Sequence, residues 1–239
     1  MYQAKARAFA QRELLPGAIE RDMTEEFPMD ILKKLGDEGL IGIQFDKKYG
    51  GKGDDYLSFI LVVEELCKVA EVIIENAVVP ADRMIGTEGK GFRYALTALN
   101  AGRLSVAAQG LGLACGAFEI AREYMKERQQ FGKPIYKNQY LAFRMADLQT
   151  EIDMCRYLLY KGVWEQQMGM DFAVSACKAK LACTNMAMKV TTECIQSMGG
   201  AGYMREQHVE RMFRDAKITQ IYEGTNEIQR LIISGAIFA

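Results

Sequence analysis

The sequence predicts an all-α protein: a C-terminal four-helix bundle plus an N-terminal helical segment, with one orphan strand near residues 71–79. Three observations carry this prediction. Apolar residues recur at spacings of three and four through three successive stretches between residues 106 and 190, as the buried seam of a helix bundle requires. Pro134 and Asn138 break that rhythm between the first two stretches. Residues 71–79 are rich in β-branched side chains, yet no other segment offers a convincing strand partner.

Each element follows in order. Residues 2–22 carry a helix pattern that ends in the region of 16–22. Phe27-Pro28 opens a second helix, with proline in its first turn, running through Leu35 to Gly39. Residues 45–55 form a loop dense in glycine; no Gly-Lys-Ser/Thr ending follows, so a helix connection fits better than a phosphate cradle. Residues 56–70 give a third helix, very apolar on one side. The strand comes next, closed by Pro80, with backbone groups that nothing in the chain can pair. Residues 92–100 read as a short helix leading into a long one with Val106, Gly110, Leu113, Ala117, Ile120 and Tyr124 on its seam. Leu141, Met145, Leu148, Ile152, Cys155 and Leu159 repeat the rhythm, as do Phe172, Ala176, Ala179, Cys183, Met186 and Val190. The last helix, after Glu223, is the fourth. Small residues on the seams imply close helix approach, or contacts between copies on a second face. The domain boundaries that result are 1–70, a linker at 71–91, and 92–239.

Composition narrows the chemistry. A net charge of −1 argues against a general grip on nucleic acid, and no apolar run reaches membrane-spanning length. The N-terminus shows an amphipathic pattern rather than a secretory signal. Six cysteines without a Cys-x-x-Cys pair read as reduced, small apolar residues of an unsecreted protein. His208 is the single histidine, which excludes His-rich metal sites and Ser-His-Asp triads. No metal site is expected. Chemistry must come from carboxylates, arginines or a bound cofactor.

The stretch that attracts attention is Ile221-Tyr222-Glu223-Gly224-Thr225-Asn226-Glu227-Ile228-Gln229-Arg230. Gly224 permits a sharp turn. Thr225 and Asn226 both suit an N-cap, and Asn226 with Gln229 makes a capping-box variant. Ile228, Leu231, Ile232 and Ile237 give the following helix an apolar face. Glu223 is therefore expected on a bend, beside free N–H groups at a helix start, where a base could sit next to an anion or carbonyl. The plainer reading is a carboxylate that complements the helix dipole.

Together with Arg214-Asp215-Ala216-Lys217-Ile218, that stretch resembles the C-terminal signature of the acyl-CoA dehydrogenases. Arg128-Gln129-Gln130-Phe131-Gly132-Lys133-Pro134 is similar to the family's Arg-x-x-Phe-Gly-Lys-Pro turn, and the segment 196–203 to its Gln-x-x-Gly-Gly-x-Gly flavin loop. The resemblance implies oxidation of a short- or medium-chain acyl-CoA thioester to a trans-2-enoyl-CoA. Glu223 would be the base that removes the α-proton while the β-hydride passes to the flavin N5. Arg128, Gln130 and Phe131 would contact FAD across a subunit boundary. Gln196, Gly199 and Gly200 would contact its diphosphate and adenosine, although a Gly-Gly pair is also a common helix C-cap. Thr225 and Glu227 would make a further flavin contact. Asn100 and Arg103, with Asn100 in place of the family's Asp, would bind CoA, the alternative for Arg103 being a surface helix arginine. Tyr222 and Gly224 would border the substrate. Some relatives carry their base near the position of Gly102, where this chain has none. The resemblance also implies an electron-transfer flavoprotein as acceptor and a homo-oligomer, dimer or tetramer. It places the protein in a bacterial cytoplasm or the mitochondrial matrix.

One departure stands out. The family carries a middle β-barrel of about a hundred residues between its helical regions. Here the helix ending at residue 70 runs directly into residues 71–79, which match the barrel's last strand, and the missing partners account for the orphan strand. Either the chain lost this domain, or the sequence is the ordered part of a longer protein. Two functions from different classes follow: a flavin-dependent dehydrogenase, or a non-catalytic helical oligomerisation module derived from one. A CoA-binding module without redox chemistry is a third.

Overall fold

The computed structural model describes residues 2–24, 28–43, 46–49, 51–54, 58–60, 62–63 and 90–239. The predicted orphan strand, the domain boundary at 70 and most of the linker lie outside these residues.

The N-terminal segment is helical but interrupted. Helix α1 (Tyr2–Phe9) widens into a π turn at Ala10–Leu14, and the chain restarts as α2 (Ala18–Thr24) after Gly17 at φ 71°. A single helix over 2–22 is thus corrected to two pieces. Pro28 caps α3 (Met29–Asp37), and Gly39 ends that unit at φ 68°. Ala6, Phe9, Leu14, Ile31, Leu40, Ile43 and Val62 bury one another in a small core of their own.

The bundle begins with α4 (Gly91–Glu127), one continuous helix rather than a short helix leading into a long one. At 37 residues it is about 55 Å long. Its stretch Thr97–Glu127 is apolar and long enough to cross a membrane, but 78% of that apolar window is buried against its neighbours, as a core helix should be. A two-stranded hairpin follows, β1 (Gln129–Gln130) against β2 (Lys133–Pro134). Phe131 and Gly132 turn it with φ 53° and 76°, the paired positive angles of a tight hairpin. Asn138 then accepts the Tyr140 N–H at 3.0 Å and starts α5 (Gln139–Gln167). Helix α6 (Ala173–Met198) completes the central trio.

Helices α4 and α6 run in the same direction and touch closely: a Cβ at Gly110 would stand 3.2 Å from the Cys183 carbonyl. Helix α5 runs against them, tied by Arg156 to Cys115 and by Arg144–Glu193 and Lys189–Glu151 pairs. The predicted seam residues Leu113, Ala117, Leu148, Ile152, Leu159, Ala176, Ala179, Cys183 and Val190 are buried in one core, and Val106 is buried as well. The five described cysteines are all buried, and none forms a disulfide among the described residues.

The fourth helix of that core is α7 (Val209–Thr219), which burial of Val209, Met212 and Ala216 locks onto α4 and α6. The terminal helix α8 (Asn226–Ile237) lies along α6. Its expected apolar face is not inside: Ile228, Leu231 and Ile237 are exposed, while Asn226 and Gln229 are buried. The N-terminal segment docks where Asp22 of α2 accepts two bonds from Arg214 of α7, at 2.7 and 3.2 Å.

Candidate functional site

After α7 the chain folds back through residues 220–226, a loop closed by the Asn226 N–H donating to the Gln220 carbonyl at 3.0 Å. Glu223 and Gly224 both take left-handed angles, φ 53° and 84°. Gly224 adopts this freely, whereas Glu223 is strained there by about 1 kcal/mol or more. The turn aims the Glu223 side chain at α4. Its Oε2 is buried and has no hydrogen-bond partner among the described residues. The space it occupies exists because position 102 lacks a side chain: a Cβ on Gly102 would lie 2.5 Å from Oε2 and 2.8 Å from Cδ. A buried, unpaired carboxylate oxygen is costly, and such groups mark places where chemistry rather than stability sets the residue.

Two buried cations lie in this region, of which Lys180 faces the carboxylate. Arg103 is buried, which removes its reading as a surface helix arginine, and its Nη1 donates to Asn100 Oδ1 at 2.7 Å. Lys180 of α6 is fully buried and donates to the Gly224 carbonyl at 3.0 Å and to Asn226 Oδ1 at 2.9 Å. Burial, with Arg103 adding to it against the opposing pull of Glu227 and Glu223, brings the Lys180 pKa down to about 8. Gln229, also fully buried, donates to the Gly224 carbonyl at 2.7 Å. Tyr222 donates its hydroxyl to Gln109 of α4.

The helix start differs from expectation. Thr225 is the cap, and its Oγ1 accepts the Ile228 N–H at 3.5 Å; Asn226 turns inward instead and does not cap. Gln229 binds loop carbonyls, so no capping box forms. Glu227 bonds its own N–H and the Thr225 hydroxyl, which hold its carboxyl below the usual carboxylate range. The first N–H groups of α8 are therefore occupied rather than free.

A second site lies at the far end of α6. A cleft of about 660 Å³ is lined by Arg128, Gln130, Phe131 and Lys133 of the hairpin region and by Gln196, Ser197, Gly199 and Gly200. Gly199 sits at φ 61°, ψ −141°, a region open essentially to glycine alone, and ends α6 as its cap. A Cβ at Gly199 or Gly200 would meet nothing within 4 Å, so backbone faces open cleft. Ser197 Oγ is buried there without a partner among the described residues. Bare glycine backbone, an unpaired hydroxyl and the cations of Arg128 and Lys133 fit a diphosphate-bearing cofactor. The structure thus brings six of the sequence-predicted residues, Arg128, Gln130, Phe131, Gln196, Gly199 and Gly200, into one cleft. It gathers Asn100, Arg103, Tyr222, Glu223, Gly224, Thr225 and Glu227 at the other end. The sixteen residue steps from Lys180 to Gln196 separate the two ends by about 24 Å along α6.

Sequence reasoning missed Lys180 and Gln109, and gave Asn226 and Gln229 only helix-capping roles. The signal for Lys180 was available: it falls one turn after Ala176, on the buried face of α6, where a lysine is out of place.

These features define a helical-bundle protein with a buried carboxylate on a strained turn and a separate glycine-edged cleft. The family model for "Acyl-CoA dehydrogenase, N-terminal domain" matches residues 1–88, and that for "Acyl-CoA dehydrogenase, C-terminal domain" matches residues 89–238. The chain belongs to the acyl-CoA dehydrogenase family of flavoenzymes and lacks the middle β-barrel. A short-chain-specific acyl-CoA dehydrogenase of Clostridium acetobutylicum is 34% identical over 362 aligned positions, spanning 97% of this chain and 96% of the relative. An alignment of that length, drawn on 239 residues, leaves a long internal stretch of the relative with no counterpart here. The short-chain-specific enzyme of Megasphaera elsdenii is 48% identical over 167 residues, 70% of this chain and 44% of its own. Butyryl-CoA dehydrogenase from Megasphaera elsdenii superposes with a TM-score of 0.92 at 29% identity, spanning 100% of this chain and 97% of that one. A chain from a structure titled for the electron transferring flavoprotein of Acidaminococcus fermentans gives the same score and identity, spanning 99% of this chain and 97% of that one.

Proposed function

We propose that this chain acts on a short- or medium-chain acyl-CoA thioester by α,β-dehydrogenation with FAD as cofactor, and that Glu223 is its base. The single observation that carries the reading is the buried, unpartnered Glu223 Oε2 held against Gly102. In a relative with its base on the α4 side, the side chain would occupy that same space, so either position delivers a carboxylate to one spot. Glu223 Oε2 takes the α-proton of the substrate. The Arg103 guanidinium, with Asn100 fixing it, supplies positive charge beside the developing enolate, and Tyr222 and Gly224 border the acyl carbonyl. Bound flavin supplies the hydride acceptor. Arg128, Gln130, Phe131, Gln196, Gly199 and Gly200 would hold its diphosphate and adenosine end, and Thr225 and Glu227 would meet it near the base.

One chain offers these contacts about 24 Å apart, which supports a cofactor completed by a second copy of the chain. Phe131 supports this too: it is 98% exposed on the hairpin tip in a left-handed conformation. Exposed Tyr140, Phe143, Met154, Tyr157 and Trp164 stripe the outer side of α5, and Ile228, Leu231 and Ile237 that of α8, as faces awaiting a homo-oligomer. An electron-transfer flavoprotein is the acceptor proposed.

A second reading rests on the junction at residues 88 and 89, where the family models abut without a middle domain. It makes the chain a helical oligomerisation module without turnover. Absorbance separates the two. The first expects purified, flavin-loaded protein to be yellow and to bleach on adding a four-carbon acyl-CoA. Colourless protein that refuses flavin, yet assembles, overturns it.

A further inference from the structure

We propose that Lys180 is the positioning residue of the base: its buried ammonium clamps the Gly224 carbonyl and the Asn226 side chain and so holds Glu223 against Gly102. The proposal deepens the assignment of Glu223 and rests on it. Lys180 has donors and no acceptors, so its bond to Asn226 Oδ1 fixes which way that amide faces. Asn226 Nδ2 is thereby turned to Thr184 Oγ1 and Asn185 Oδ1, both at 3.0 Å, which pins the start of α8 to α6. On the other side, Gly224 O accepts from Lys180 at 3.0 Å and from Gln229 at 2.7 Å. The turn is therefore gripped immediately after Glu223, whose φ of 53° is otherwise unfavourable, at a glycine that takes φ 84° freely. Nothing else about Lys180 explains its burial. Its Nζ reaches no carboxylate within ion-pair distance among the described residues, and a buried lysine spent on two neutral oxygens stabilises little by itself. What it does fix is geometry.

The charged groups that face Lys180 are Arg103 on α4, Glu223 on the turn and Glu227 on α8. Arg103 and burial favour loss of its proton and the two carboxylates oppose it, with a balance at about 8. A neutral amine keeps two N–H donors but loses charge assistance to Gly224 and Asn226. Turnover should accordingly fall on an alkaline limb near pH 8, with no matching loss of substrate binding.

The test uses the full flavin-loaded chain, wild type against Lys180→Met, which keeps the length and removes the donors. Hydrogen exchange is read on peptides covering 219–229 and, as reference, 139–167. Turnover is read on α-deuterated and unlabelled four-carbon acyl-CoA. The clamp predicts exchange in 219–229 faster by about ten-fold with the reference unchanged, and kcat down by about 10²-fold, as for a misplacement near 1 Å. KM should stay within about two-fold, the α-deuterium isotope effect should rise, and the alkaline limb should vanish. Should Lys180→Met fail to fold, Asn226→Asp replaces it: a carboxylate beside Lys180 must move the alkaline limb upward by about a unit or more. Unchanged exchange in 219–229, or equal loss of kcat and binding with the limb in place, overturns the clamp. Wild-type protein that binds flavin and never dehydrogenates defeats the enzymatic reading instead, and the exchange comparison still decides whether Lys180 holds the turn.

Discussion

Gly102→Ala pits stability against function in one methyl group. Position 102 lies inside the continuous helix α4, where alanine is favoured over glycine by about 1 kcal/mol. The new Cβ would stand 2.5 Å from Glu223 Oε2, 2.8 Å from Cδ and 3.1 Å from Oε1. Ordinary contact begins near 3.4 Å, so the carboxylate must retreat by about 0.9 Å, and it is the far end of a side chain that can do so without moving backbone. The helix keeps most of its gain, and Tm should hold or rise by about 2–4 °C for a chain of this size. The proposed base, displaced by nearly its whole tolerance, should lose about 10²-fold in kcat. Both quantities are read on one preparation: a thermal melt, and reduction of an artificial electron acceptor by a four-carbon acyl-CoA. Turnover within about two-fold of wild type would refute the idea that Glu223 works from the space above Gly102. A large fall in Tm would refute the claim that only the carboxylate end is in the way.

Glu223→Gln should lower dehydrogenation by about 10³-fold while leaving flavin absorbance intact, the loss expected of a missing general base. Gly202→Ala should destabilise by about 1–3 kcal/mol, since its Cβ would meet backbone, Ile195 O at 2.8 Å and Cα at 2.9 Å, and a urea melt measures it. Asp22→Asn should cost at most about 1 kcal/mol at neutral pH. The hydrogen bond from Arg214 holds the Asp22 carboxyl below its usual 3.8, so its contribution is present above that value and lost as pH falls through the lower folded-state value. Melts of the two proteins should therefore converge in acid. Lys180 has the opposite behaviour to a paired lysine: its folded pKa near 8 lies below the unfolded 10.5, so the unfolded chain binds more protons between them and stability rises with pH. Lys180→Met should remove that rise, at most about 1.4 kcal/mol per pH unit, from denaturant melts at pH 8 to 10.

How much of this was legible depends on which force placed each residue. The seams of α4, α5 and α6 could be read directly because large apolar side chains at helical spacing are buried by the hydrophobic effect alone, and Leu148, Ile152, Ala179 and Val190 are where the pattern puts them. Helix α7 carried the same signal, Val209, Met212 and Ala216, within a segment read only as a motif. The cleft residues were legible through the motif but not through spacing, since nothing in the order of the chain brings residue 130 to residue 199. Helix α8 defeats pattern reading in a more informative way. Its Ile228, Leu231 and Ile237 make an apolar stripe, and amphipathicity alone would bury it. The opposite side is buried instead, with Asn226 and Gln229 inward. Lys180, Thr184 and Asn185 on α6 explain the inversion, because a buried ammonium and hydroxyl need acceptors, and an amide-bearing face supplies them where isoleucine would leave them unpaired. The cost of that choice is an apolar stripe turned outward. A chain that spends its terminal helix on fixing a carboxylate must find cover for the other side elsewhere, so the polar core beside Glu223 and the proposed homo-oligomer are two consequences of the same lysine.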